Sequence, residues 1–152
     1  MRSGKMRTPA HVHRKVRGER FQETRGLAEG HALALHAHRV ATGIRRRQDV
    51  PLSSQIIRAA MSIPANIVEG RRQKSEKEFA RFLQIARNSG FELEYHLIVA
   101  QDIGAISETD FSQLLREVVE VRKMIHGLLK RIGDRIHDQE QSSAPNRTEA
   151  AG

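Results

Sequence analysis

Residues 55–104 read QIIRAAMSIPANIVEGRRQKSEKEFARFLQIARNSGFELEYHLIVAQDIG, and their periodicity decides the fold. Leu52, Ile56, Ala60, Ile63 and Ile67 recur as one apolar face of a helix. That helix starts near Pro51, which suits a first turn, and ends near Gly70. A second helix opens at Ser75-Glu76-Lys77-Glu78, where Ser75 can cap and Glu78 can reach back to it. Phe79, Leu83, Ala86, Gly90, Leu93, Leu97 and Ala100 make its seam, flanked by Phe82, Ile85, Phe91, Tyr95 and Ile98. Gly104 is placed to end it. Gly90 costs about 1 kcal/mol against Ala in mid-helix. With Ala86 one turn earlier on the same seam, a close helix–helix approach is the expected compensation.

Downstream, Phe111, Leu114, Val118, Val121, Ile125, Leu128 and Ile132 follow a 3-4-3-4-3-4 spacing suited to helix packing near +20°. Ser107 is its expected N-cap, with Asp110 at N3, and the helix is expected over about 108–137. Upstream, residues 20–46 carry Leu27, Leu33, Leu35, Val40 and Ile44 at loose helical spacing. Gly26, Gly30 and Gly43 lower that segment's helix propensity. No β-alternating run of useful length appears. Short loops set consecutive long helices antiparallel. The expected fold is all-α: an up-down-up-down four-helix bundle over 19–138, its second helix kinked at Pro64. A disordered basic arm, 1–18, and a disordered tail, 139–152, flank it.

The chain has 152 residues, enough for one core without disulfides or metal. It has no cysteine, which excludes thiol catalysis and sulfur-bound zinc. Its net charge of +8 is uneven. Residues 1–47 hold 12 Lys/Arg against three acids, a net of +9, and the rest holds 14 against 15. Such asymmetry points to an anionic partner or to a solvated basic tail. No run approaches the ~18 apolar residues of a membrane span, and the first residues lack the apolar core of a secretory signal. The expected location is cytoplasmic, with no membrane partner.

The segment Ser62-Ile63-Pro64-Ala65-Asn66-Ile67-Val68-Glu69-Gly70 is the most distinctive. Pro64 removes a helix hydrogen bond and crowds the carbonyl of Ala60. Arg58, Ser62, Asn66 and Glu69 fall on one polar stripe, roughly opposite the apolar face. Such a stripe usually faces solvent. The sharper reading is a subunit contact around the kink. Arg45-Arg46-Arg47 and Arg71-Arg72-Gln73-Lys74 are basic clusters at the ends of the first two helices, and so at opposite ends of the bundle. Arginines at a helix C-terminus also meet the helix dipole, which is sufficient reason for them. Eight histidines invite a metal reading, but none of the three on the first helix are i, i+4 pairs. No metal site, cofactor, phosphate loop or nucleophile motif is expected, and no enzymatic activity.

The block Ser-Ile-Pro-Ala-Asn-Ile-x-Glu-Gly, followed by Ser-x-Lys-Glu-Phe, resembles the bacterial four-helix-bundle proteins encoded in intervening sequences of large ribosomal RNA genes. The resemblance spans about 55–135. It implies a ring-like homopentamer. Distant relatives are accessory proteins of reverse transcriptases in diversity-generating retroelements. It also marks Ser62, Pro64, Asn66, Glu69 and Gly70 as signature positions, structural or interfacial rather than catalytic. The front of the chain departs from the family, lacking its aromatic-rich start.

The functional expectation is a non-enzymatic homo-oligomer that binds RNA or DNA, or a ribonucleoprotein or reverse-transcriptase partner, through basic residues. Arg14, Lys15 and Arg17 in the arm and Arg45, Arg46 and Arg47 come first, then Arg71, Arg72 and Lys74. With one Tyr, five Phe and no Trp, few side chains are available to stack on bases, and base-stacking specificity is not expected. The competing expectation is a protein-interaction scaffold whose charge is incidental.

Overall fold

The computed structural model describes the backbone of residues 10–143 and the side chains of 23–143. Four helices follow one another: α1 (Ala10–Thr42), α2 (Val50–Arg71), α3 (Glu76–Asp102) and α4 (Glu108–Ser143), with a 3-10 turn, Arg47–Asp49, before α2. No strand occurs among the described residues. The boundary expected at residue 18 therefore falls inside α1, and the one expected at 138 falls inside α4. Residues 1–9 and 144–152 lie outside the described residues.

The caps explain where two of the turns fall. Ser75 Oγ accepts from Glu78 N at 3.2 Å, as the sequence predicts. The Glu78 carboxylate, however, turns forward to accept from Arg81 Nε at 3.2 Å, because that guanidinium lies one turn on. Ser107 Oγ accepts from Asp110 N at 3.0 Å and donates to Asp110 Oδ2 at 2.9 Å. Gly104 ends α3 at φ +69°, with Gly104 N donating to Gln101 O (2.9 Å) and Ala105 N to Ala100 O (2.8 Å). That pair of bonds is a Schellman ending, and its left-handed residue favours glycine.

Each helix packs on two neighbours: α1 on α2 and α4, and α3 on α2 and α4. Arg46 Nη2 donates to the Ile103 carbonyl at 2.7 Å, which puts the α1–α2 turn beside the α3–α4 turn. Lys77 Nζ to Glu140 Oε1 (2.8 Å) and Arg135 Nε to Glu76 Oε1 (2.8 Å) put the start of α3 beside the end of α4. This is the up-down-up-down bundle expected. α2 continues without a break through Pro64.

The core follows the predicted seams of α2, α3 and α4. Ile56, Ala60, Ile63 and Ile67, Leu83 to Ala100, and Leu114 to Ile132 supply its buried side chains. In α1 the seam differs from the expected one. Leu33, Ala34, Ala37, Ala41 and Ile44 are buried, while Leu35 is 43% exposed. Leu27 and Val40 pack against this core as well, so of the expected residues only Leu35 leaves the face, and the three alanines complete the stripe. On α3 the expected flanking residues Ile85, Phe91, Tyr95 and Ile98 stay exposed. The two neighbours cover the seam but do not wrap the outer half of that helix.

Candidate nucleic-acid interface

The α1–α2 turn carries Arg45, Arg46 and Arg47, all exposed. Arg46 already has work in the fold. Its Nε lies 2.7 Å from Asp49 Oδ2, and its Nη2 holds the end of α3. Asp49 is 7% exposed, so this arginine neutralises a buried carboxylate and ties two turns together. Arg45 and Arg47 have no ion pair among the described residues. They are the two cations of the triplet that no carboxylate of the described residues pairs.

The α2–α3 turn carries the second cluster. Arg71 Nε sits 3.9 Å from Glu23 Oε2, an arm's length tie to α1. Arg72 and Lys74 are exposed and without ion pairs among the described residues. Beside them lies a cleft of about 440 Å³ whose lining mixes Arg71, Lys74 and Arg135 with Glu23 and Glu76. Its charges largely cancel. The two basic clusters do lie at opposite ends of the bundle, so one chain presents two separate patches. The side chains of Arg14, Lys15 and Arg17 lie outside the described residues.

The Pro64 segment divides in two. Ser62 Oγ and Ser89 Oγ of α3 are 2.8 Å apart, and Ser89 Oγ donates onward to the Ile85 carbonyl at 3.0 Å. Asn66 Nδ2 donates to the Ser62 carbonyl (2.8 Å) and to Ser62 Oγ (3.0 Å). Ser62 therefore bridges to α3 within one chain, and Asn66 bonds back onto Ser62 along α2, both half-buried. Gly70 is buried too, and a Cβ there would lie 2.8 Å from Phe79 Cδ2 and 2.9 Å from Phe82 Cβ. Pro64 faces α1, its Cα 3.9 Å from where a Cβ on Gly30 would stand. Only Arg58 and Glu69 remain exposed, with the Glu69 carboxylate accepting from Gln73 Nε2 at 3.2 Å. Sequence reasoning missed Ser89, which carries no local signal, since its partner is 27 positions away.

The described histidines are packing or surface residues. His36 Nδ1 contacts both oxygens of Glu117 at 2.9 and 3.0 Å, bridging α1 and α4. His96 Nε2 lies 3.5 Å from Glu92. No group of three or more candidate metal ligands occurs among the described residues. No helix among them is long and apolar enough to cross a membrane.

Residues 22–127 match the family of 23S rRNA-intervening sequence proteins. The chain belongs to that family. A solved structure shares the fold with a TM-score of 0.68 and 23% identity, covering 72% of this chain and 98% of its own. That protein comes from Bacteroides thetaiotaomicron VPI-5482, is placed in the S23 ribosomal protein family and is described as of unknown function. None of the curated proteins matches the chain. In this intervening-sequence protein the signature block is thus accounted for largely by contacts within one bundle, whereas Arg45, Arg47, Arg72 and Lys74 have no ion pair among the described residues.

Proposed function

We propose that this intervening-sequence protein performs no chemistry of its own. It assembles with copies of itself in the cytoplasm and holds nucleic acid, or a ribonucleoprotein or reverse-transcriptase partner, through basic residues. The observation that carries this reading is the set Arg45, Arg47, Arg72 and Lys74: exposed, cationic and unpaired among the described residues. The +9 balance of the first 47 residues adds to it. Each patch is small, so oligomerisation is what makes them effective, by raising local concentration. Exposed Met61 and Val68 share a face of α2 near Arg58 and Glu69, giving copies an apolar surface to bury. The family resemblance favours a pentamer.

The test is binding of labelled RNA and duplex DNA by the full chain, by Arg45→Glu/Arg47→Glu, and by a chain lacking residues 1–18. Reversal and deletion together should weaken binding at least tenfold. Unchanged affinity would sink the reading. The exposed α2 face also favours a second reading, a protein scaffold without nucleic acid. That one gains if the full chain binds neither RNA nor DNA at physiological salt.

A further inference from the structure

The chain has six aromatic residues, and among the described side chains two are displayed rather than packed. Tyr95 is 64% exposed and Phe91 51%, the most exposed large apolar side chains on the described surface. They stand four residues apart on the outer side of α3, about 6 Å along its axis. Beside Phe91, between α3 and α4, runs a cleft of about 310 Å³ lined also by Arg87, Arg122, Lys123 and His126.

The placement of Arg122 is built in. Gly90 has no side chain, and a Cβ there would stand 2.6 Å from Arg122 Cγ. The arginine stem therefore lies across the glycine. Its guanidinium carbon sits 4.1 Å from the centre of the Phe91 ring, and Glu94 holds its Nη2. Arg87 has no ion pair among the described residues, and the Nε–H groups of Arg87 and Arg122 have no acceptor. Among the described residues Lys123 is held only by an exposed contact to Glu120 at 2.9 Å, a weak pair.

We infer that this α3–α4 face is a stacking site for single-stranded nucleic acid. Unpaired bases lie on Tyr95 and Phe91, and the backbone phosphates meet Arg87 and Lys123. The inference rests on the nucleic-acid reading above and adds to it the form of the ligand. Exposed aromatic rings serve unstacked bases, which present a free face, whereas a duplex hides its faces and offers only phosphates. A phosphate oxygen also supplies the acceptor that the Arg87 Nε–H lacks, once that side chain turns to meet it. The aromatics are few, as the sequence shows, but two of them stand together on one exposed face.

The experiment is fluorescence anisotropy with labelled 12-nucleotide single strands of RNA and DNA, and with a duplex of the same length. It compares the full chain with Tyr95→Ala, Phe91→Ala and Tyr95→Phe, each checked by thermal melting. Each Ala variant should weaken single-strand binding about tenfold, in line with about 1–3 kcal/mol per stacked base, and leave duplex binding within about twofold. Tyr95→Phe should keep the single-strand affinity. Ala variants that bind single strands as the full chain does, or that weaken strand and duplex alike, would overturn the site while leaving nucleic-acid binding standing. A full chain that binds no nucleic acid would overturn both. A full chain that binds an acidic peptide but no single strand, with Tyr95→Ala losing the peptide, would give the face to a protein partner and overturn the inference.

Discussion

Gly70 and Gly90 both sit where helices come close, yet they answer to different neighbours. A methyl at Gly70 meets two phenylalanines, one of them at its Cβ, which cannot move without the backbone. Gly70→Ala should lower stability by about 1–3 kcal/mol in urea unfolding, as overpacking does. A methyl at Gly90 meets Arg122 Cγ, which a χ1 change can move only by giving up its Glu94 and Phe91 contacts, but no backbone need shift, and Ala gains about 1 kcal/mol of helix propensity. Gly90→Ala should therefore cost less than Gly70→Ala. Ser89→Ala should cost about 1 kcal/mol, because it strips Ser62 of its partner across α2 and α3. Lys77 hydrogen-bonds the exposed Glu140 carboxylate and adds its charge, which holds that carboxyl below the ordinary 4.5. The sign follows: the contact is complete above the ordinary carboxylate range and fades as pH falls through the depressed value. An NMR titration of Glu140 should show that depressed midpoint, and Lys77→Ala should return it to the ordinary value. At this scale the sequence singled out Gly90, although what fills the space beside it is the stem of Arg122. It did not show Ser89 or the Arg46–Asp49 pair as fold contacts, because their roles depend on neighbours brought in by the turns.

Among the elements, α2 to α4 were readable because each combines a cap signal with a large-residue seam. The Ser75 and Ser107 caps sit where the sequence places them. Ser75→Ala and Ser107→Ala should each lower stability by about 1 kcal/mol, measured by denaturant midpoint. Gly133 lies in α4 with open space around it and an exposed surface. Gly133→Ala should raise stability by about 0.5–1 kcal/mol, since only backbone entropy changes. α1 was harder to read for a physical reason. Its buried stripe is mainly alanine, which contrasts little with the rest of an Ala-rich segment. The pattern that would have located it is Ala34, Ala37 and Ala41 at helical spacing, small residues that let α2 and α4 approach. The bend proposed at Pro64 belongs to this scale too. Its physical basis is the donor that proline lacks, and Ser62 and Asn66 bond one another beside it.

For the whole molecule, the two basic turns lie at opposite ends, so they do not join into one groove among the described residues. A ring or stack of copies would line up like clusters. Light scattering should accordingly give a mass well above 17.2 kDa, near five times that value if the resemblance carries the stoichiometry. A mass of one chain would remove assembly from the account. The charge asymmetry and the positions of the clusters were legible in the sequence. Which cations are free was not, since Arg46 and Arg71 are engaged only by residues that folding brings up. The measurement that bears most directly on the central claim is the salt dependence of RNA and DNA binding by the full chain. Phosphate contacts by several cations predict a steep linear fall of log K with log salt concentration, reduced by about one unit of slope for each cation removed among Arg45, Arg47, Arg72 and Lys74. A flat salt dependence, or a slope untouched by removing all four, would contradict it.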